Sequence, residues 1–340
     1  MFIFISEPLD KFSGGSYISK RNLEYAKRFC KLTKHKLKKI EISNQRGILV
    51  KFLFLNLKII KDVLFYVQMN KSENTYIWID RSIFSWLLLI IKFYCLFSPK
   101  RIYVYTYFHN IEEKYFAKKN FNRSKFFKLF NFIRIFITTK IAIIFSNKIF
   151  FGARFMFNED DKKYVFLPHS FKQNLRIGEP KDNYFYLGSN FFANIEDARK
   201  LIEIFSKSTS KKNLNIYGSV SDKLDNVLDN RINLMGFQEN LDECFMSNKV
   251  MIAPIKQNYG MNVKIAEALH HGKIVLTNSL GMYTVSTSLD KIEKKMLFEY
   301  KSESHLVEIL NQDIANTRST SNVSTFKHYN DNKIIQMFKI

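Results

Sequence analysis

The chain has 340 residues, 46% of them hydrophobic, which gives room for two domains of ordinary size and excludes a disordered polymer. The net charge of +22 is uneven, with 28 Lys/Arg against 9 Asp/Glu in residues 1–150 and 25 against 22 in residues 151–340, so a basic half is joined to a near-neutral one. Cys30, Cys95 and Cys244 are odd in number and lack CxxC spacing, which excludes a disulfide framework or zinc knuckle and suits a reducing cytoplasm.

In chain order, "FIFIS" (2–6) reads as a buried strand and not as part of a signal peptide, because no basic segment precedes its short apolar run. "FSGGS" (12–16) reads as a turn in which Gly14, Gly15 and Ser16 let a ligand approach the backbone, or simply reverse the chain. A helix, "YISKRNLEYAKRFCKLT", follows. "TYIWID" (75–80) is a strand, and residues 82–99 are an apolar helix that Lys92 and Pro99 keep short of the roughly 20 residues needed to span a bilayer. "KRIYVYTYFHN" (100–110) is a strand ending at His109 and Asn110, with Glu112 just beyond; on residue type alone, His109 is a hydrogen-bonded structural histidine at a strand end. Residues 124–145 form a helix that is apolar all round, with Lys128, Arg134 and Lys140 six apart. Such a helix is either well buried or rests in a membrane interface with its cations reaching lipid phosphates. Together with the charge of this half, it points to docking on an anionic membrane. A short strand, "KIFFGA", comes next, and Asp160 and Asp161 in "NEDDKK" read as a solvated turn and not a metal site.

Two prolines within residues 167–183 mark a linker between an N-terminal domain, 1–170, and a C-terminal domain, 171–340, whose last helix can return to the first. Beyond the linker, strands "YFYLGS", "LNIYG", "INLMGF" and "KVMIAPI" alternate with helices "IEDARKLIEIFSKS" and "NLDECFMS". Two such series make the fold class α/β, with two doubly wound, Rossmann-like parallel sheets facing across a cleft and ligands bound beyond the carboxyl ends of strands. In residues 258–281 a turn-forming run becomes a helix carrying Lys264 and Glu267, stops at Gly272 and leads into the strand Ile274–Thr277. Residues three apart share a helix face, so the pair can grip one object bearing both phosphate and hydroxyl groups, or form a plain surface ion pair. Amides of the helix start after Gly260 can hold phosphate oxygens, and His270 and His271 cap its end.

The runs "YFYLGSNFFANIEDARKLIEIF", "LNIYG", "RINLMGFQENLDECFMSNKVMIAPI" and "GMNVKIAEALHHGKIVLTNSLG" resemble the donor-binding half of GT-B glycosyltransferases, above all the family 4 (group 1) enzymes of capsule and lipopolysaccharide biosynthesis. The resemblance is close over residues 184–281 and weaker at "FSGGS", "DRS" and "FHNIE". It implies transfer of a sugar from a nucleotide diphosphate donor to a glycan or glycolipid acceptor, with retention, without a cofactor or metal, at the cytoplasmic face of the membrane. It implies donor contacts from Gly14, Gly15, Ser16, Gly188, Ser189, Asn190, Gly260, Met261, Asn262, Lys264 and Glu267, and a catalytic His109 at the donor sugar or its phosphates. Asn110 and Glu112 would orient that histidine or meet acceptor hydroxyls. Glu267 corresponds to the second glutamate of the family's E-x7-E motif, which binds the ribose; the first falls at Tyr259. Ser189 and Asn190 stand where an Arg–Lys pair is usual, leaving phosphate neutralisation to Lys264, Lys256 and helix-terminal amides. Two rivals are a non-catalytic GT-B-like subunit, prompted by Tyr259, and a basic nucleic-acid-binding protein, for which no RNP-like, helix-turn-helix or zinc pattern is present.

Overall fold

The computed structural model describes residues 1–9, 14–42, 55–71, 74–111, 124–157, 160–167, 181–225, 227–257, 260–286, 296–312 and 331–338. Glu112, Tyr259 and most of the expected linker lie outside the described residues. The chain divides into two compact units, Met1–Pro168 with His328–Ile340, and His169–Lys327.

Unit 1 alternates β1 (Phe2–Ser6), α1 (Gly14–Thr33), β2 (Leu37–Glu41), α2 (Leu55–Met69), β3 (Asn74–Ile79), α3 (Leu87–Phe97), β4 (Arg101–Phe108), α4 (Lys125–Phe145), β5 (Lys148–Phe151) and β6 (Tyr164–Phe166). The strands form one parallel sheet in the order β2-β1-β3-β4-β5-β6. A parallel sheet is covered on both faces, which is why β1 can be apolar from Phe2 to Ile5 and wholly buried. Ile59 and Val63 of α2 and Leu88 and Ile91 of α3 close one face over Ile5 and Val104. Gly14, Gly15 and Ser16 form the first turn of α1, where a turn ahead of the helix was expected. The opening N–H groups of a helix have no intrahelical partner, so a helix can begin on glycines when an apolar stripe such as Ile18, Ala26 and Phe29 follows. The strand order reverses between β1 and β3, so their carboxyl ends diverge there.

Unit 2 alternates β7 (Tyr184–Leu187), α5 (Phe192–Ser206), β8 (Leu214–Tyr217), β9 (Ile232–Gly236), α6 (Leu241–Met246), β10 (Val250–Ala253), α7 (Val263–His270), β11 (Ile274–Thr277), α8 (Ser279–Ser286), β12 (Leu297–Glu299) and α9 (Glu303–Asn311). Its parallel sheet runs β12-β11-β10-β7-β8-β9, with the reversal between β7 and β10. The exits of β7 and β8 press together: Gly218 has φ +97°, and a Cβ there would stand 2.1 Å from the Gly188 carbonyl oxygen. That oxygen accepts the Val220 N–H at 3.2 Å, a contact that glycine at 218 permits. α7 ends at His271 and turns through Gly272 at φ +68°, the αL stop that the "HHG" run announces.

The final helix, α10 (Asp331–Phe338), belongs to unit 1 and packs beside α1. Its Phe338 ring closes an aromatic gap in the sheet, 4.6 Å from Phe29, 5.5 Å from Tyr105 and 5.8 Å from Trp78 between centroids. The Tyr105 hydroxyl donates to the Phe338 carbonyl at 2.6 Å and the Lys148 ammonium to that of Met337 at 3.0 Å, so the helix end is capped by the sheet. Phe338→Ala should therefore cost unit 1 about 3–5 kcal/mol. A urea melt read through unit 1 fluorescence checks this, and an unmoved midpoint would refute the role of the ring.

Candidate active site

At the reversal between β7 and β10 the backbone of unit 2 opens, and side chains from α5 and α7 converge on it. Tyr186 of β7 donates its hydroxyl to the Asn194 carbonyl at 3.1 Å. The Asn194 side-chain amide donates to the Ser189 carbonyl and hydroxyl at 3.2 and 3.0 Å, fixing the loop after β7. The Lys264 ammonium from α7 reaches into this group, donating to the Tyr186 hydroxyl at 3.0 Å and to Asn194 Oδ1 at 3.1 Å. It also stands 4.4 Å from the Tyr186 ring centroid. Asp197 of α5 accepts the Lys256 N–H at 3.2 Å, and so ties α5 to the exit of β10.

Burial dominates the electrostatics here. It pushes Lys264 down to about 8, with the Asp197 charge pulling the other way. It pushes Asp197 up to about 6 against the opposing pull of Lys264 and the Lys256 N–H. A partly dehydrated ammonium gains more from an incoming anion than a surface lysine does, because water screens it less. The Asn190 N–H is held by Ser219 Oγ at 2.8 Å. Asn262 stands at the N-cap of α7 and donates its side-chain amide to Thr284 at 2.9 Å, and its side chain makes no hydrogen bond to the first turn of that helix. Gly260 is buried and Met261 half-buried just before it. Glu267, one turn beyond Lys264, is half-buried on α7, and its carboxylate adds to the burial that holds the Cys244 thiol far above its ordinary range.

Unit 1 gathers a second polar cluster at the ends of β3 and β4. His109 Nε2 lies 3.2 Å from Asp80 Oδ2, with the two side chains 2% and 1% exposed. Asp80 Oδ1 also accepts from Asn22 Nδ2 at 2.7 Å and Trp78 Nε1 at 3.0 Å. Burial pushes Asp80 up, but His109, Ser19 and Asn22 together outweigh it and hold the carboxyl below its usual range. Burial pushes His109 down and outweighs the attraction of Asp80. A carboxylate can only accept, so a neutral His109 must carry its proton on Nε2 and present a bare lone pair at Nδ1. That Nδ1 is buried without a hydrogen-bond partner among the described residues. Such a lone pair suits a hydroxyl donor and is poorly matched to a phosphate oxygen. Asn110 is half-buried next to it.

Of the residues expected from sequence, the structure brings Lys264 and Ser189 together through Asn194, beside Gly188 and Asn190, and places Gly260, Met261 and Asn262 at the start of the helix that carries Lys264. Lys256 is exposed at the exit of β10. Sequence reading missed Tyr186, Asn194 and Asp197, and in unit 1 Asp80 and Asn22. One signal was available. Asp197 occupies the buried stripe of α5 with Ala193, Leu201 and Ile204, and an acid at a core position of an amphipathic helix marks a special environment. Asp161 accepts the Lys163 N–H in an exposed turn, and among the described residues no three His, Cys, Asp or Glu side chains group as metal ligands.

Residues 181–316 match the family described as Glycosyl transferases group 1. Among solved structures, HepE of Anabaena in complex with UDP-glucose is 13% identical at a TM-score of 0.65, covering 99% of this chain and 94% of that one. WaaB, a lipopolysaccharide outer core galactosyltransferase in its apo form, is 11% identical at a TM-score of 0.58 over 99% and 94%. A glycosyltransferase from Rickettsia africae is 15% identical at 0.59 over 99% and 92%. No curated protein matches the sequence. The likeness shows the fold: two six-stranded parallel sheets with flanking helices, the GT-B architecture.

The coupling of Lys264 to Asp197 is open to direct titration. NMR of the protein with 13C-methylated lysines should show two ammonium groups titrating near pH 8, those of Lys264 and of Lys273, both lowered by burial, and Asp197→Asn should move only that of Lys264 lower still, because the carboxylate is the group that raises it. A Lys264 midpoint in the ordinary lysine range, or one indifferent to Asp197→Asn, would contradict the arrangement.

Proposed function

We propose that the chain, whose residues 181–316 match the Glycosyl transferases group 1 family, is a glycosyltransferase that uses a nucleotide-sugar donor and extends a lipid-linked surface glycan of the capsule or lipopolysaccharide kind, with retention at the sugar carbon. The observation that carries this reading is the Lys264 ammonium, drawn out of water to the exit of β7 where a donor diphosphate would lie. The complex of HepE with UDP-glucose and the galactosyltransferase activity in the name of WaaB support the donor and acceptor classes.

In this reading Lys264 and the amides at the start of α7 hold the diphosphate, with Ser189 and Asn190 alongside and Lys256 at the rim. Glu267 accepts the ribose hydroxyls. As the bond from the sugar carbon to the diphosphate breaks, negative charge gathers on the leaving oxygen, and a preorganised ammonium lowers the energy of that state without a metal. In unit 1, His109, its proton committed to Asp80, accepts a sugar hydroxyl at Nδ1, with Asn110 beside it as an acceptor-side contact. The enzyme works at the cytoplasmic side of an anionic membrane, where a lipid-linked acceptor is presented.

Calorimetry against a panel of UDP- and GDP-sugars tests the donor site. Glu267→Ala and Lys264→Met should each weaken the preferred donor by about 1.5–3 kcal/mol, the range for hydrogen bonds to charged groups; unaltered affinity would sink the assignment. The pH dependence has a definite sign. The diphosphate favours the ammonium, so affinity holds steady below the Lys264 value of about 8 and weakens as pH rises through it. Lys264→Met should abolish that alkaline limb, and a wild-type affinity flat through this range would place the charge elsewhere.

A further inference from the structure

We propose that the outer face of α3 and α4 inserts into the interfacial layer of an anionic bilayer, an inference that rests on the membrane placement above and names the surface responsible. The polarity of α4 is inverted. Its buried side carries Asn131, Ile135, Thr138, Thr139 and Ala142, whereas Phe126, Leu129, Phe132, Ile133, Phe136 and Ile137 face outward. A helix on the surface of a water-exposed domain places its polar residues the other way round. Two of the buried polar groups bond to their own helix: Asn131 Nδ2 donates to the Phe127 carbonyl at 3.0 Å and Thr138 Oγ1 to that of Ile135 at 3.0 Å. α3 packs against α4 and continues the surface with Phe93, Leu96 and Phe97. Phe126 is 81% exposed, Leu96 77% and Phe97 75%, values that place whole side chains outside the fold.

Charge identifies the occupant. Neither helix contains an aspartate or glutamate, while Lys92, Lys125, Lys128, Arg134 and Lys140 are spread along them. Arg134 is half-buried on this amphiphilic helix, and its Nε has no hydrogen-bond partner among the described residues. The Lys140 ammonium stands 5.3 Å from the Phe136 ring centroid, an aromatic–cation pair at the boundary between apolar and charged surface. Rings to enter the acyl boundary, cations to meet phosphate headgroups and no carboxylate to repel them describe a helix lying in the interface plane. The exposed apolar residues extend from the first turn of α4 at Phe126 to the last at Ile144, roughly 30 Å at the helical rise. Among the described residues no helix is long and apolar enough to cross a membrane, so the surface rests on one leaflet.

Insertion and purely electrostatic docking differ in their response to salt. The full chain should sediment with vesicles of phosphatidylcholine and phosphatidylglycerol and stay bound in about 1 M salt, where the Debye length is about 3 Å and charge attraction is screened. The triple variant Phe126→Ser, Leu129→Ser, Phe132→Ser should lose about tenfold or more of its vesicle affinity at every salt concentration. Arg134→Gln with Lys140→Gln should weaken binding in dilute buffer only. The proposal is overturned if the wild type stays in the supernatant in dilute buffer or if the triple variant binds like wild type. It is equally overturned if the wild type is a dimer that the triple variant converts to a monomer, since the occupant would then be a second copy. UDP-sugar affinity measured on the same samples reports folding and keeps the two ideas apart. Vesicle binding without donor affinity would remove the proposed function and leave this surface, and donor affinity without vesicle binding would do the reverse.

Discussion

Taking an ammonium out of water costs several kcal/mol unless fixed polar groups replace its hydration. Unit 2 is arranged around that requirement at Lys264. The Tyr186 hydroxyl comes from β7, Asn194 Oδ1 from the first turn of α5 and the Asp197 charge from the next turn, so two consecutive elements converge on a cation some 70 residues further along the chain. Sheet topology makes this possible. β7 and β10 are neighbours whose connections leave in opposite directions, and the helices that follow them, α5 and α7, begin on either side of the opening. The same opening needs the close pass of Gly188 and Gly218, without which the exits of β7 and β8 would stand apart and Ser219 would not reach the Asn190 N–H.

Unit 1 meets a related constraint with different chemistry. Asp80 follows β3 and Asn22 lies on the helix that follows β1, so their hydrogen bond bridges the strand-order reversal of that sheet. Asp80 keeps its charge because donors from α1, β3 and His109 surround it. Arg21 adds rigidity, reaching the Tyr107 hydroxyl at 2.9 Å and Asn22 Oδ1 at 2.7 Å. The outcome is a histidine with a fixed tautomer and one nitrogen left to a ligand. In both units a buried polar cluster stands at the point where a parallel sheet diverges, and each cluster uses internal partners to settle a protonation state in advance, which is how preorganised sites avoid reorganisation during reaction.

Much of this was legible in the residues, and the reasons for the exceptions are physical. The alternation of apolar runs and helical stretches reveals two doubly wound sheets, because parallel strands are buried on both faces and read as short continuous hydrophobic words. Lys264 and the Gly260 approach stand out through local spacing. Asp80, Asn194 and Asp197 do not, since their partners come from strands and helices tens of residues away. β2 escaped notice as an edge strand in which only Ile40 is buried, its lysines facing out. α10 looks like the end of a polar tail, and only the aromatic gap beside Phe29 and Trp78 explains why Phe338 returns to the first sheet.

Periodicity is weakest as evidence at α4, where apolar residues surround the helix and either side can be the core. The fold chose the side with Asn131, Thr138 and Thr139, short side chains of which Asn131 and Thr138 bond to their own helix. Folding stability in water does not account for that choice, because turning the helix would bury phenylalanines and expose a threonine-rich face, at a gain of roughly 25 cal/mol for each Å² of apolar surface removed from water. A helix pair that keeps the costlier arrangement, with cations but no carboxylates along it, fits the proposed contact with an anionic membrane. Five of the 28 Lys and Arg residues of residues 1–150 lie on these two helices, beside hydrophobic side chains left uncovered.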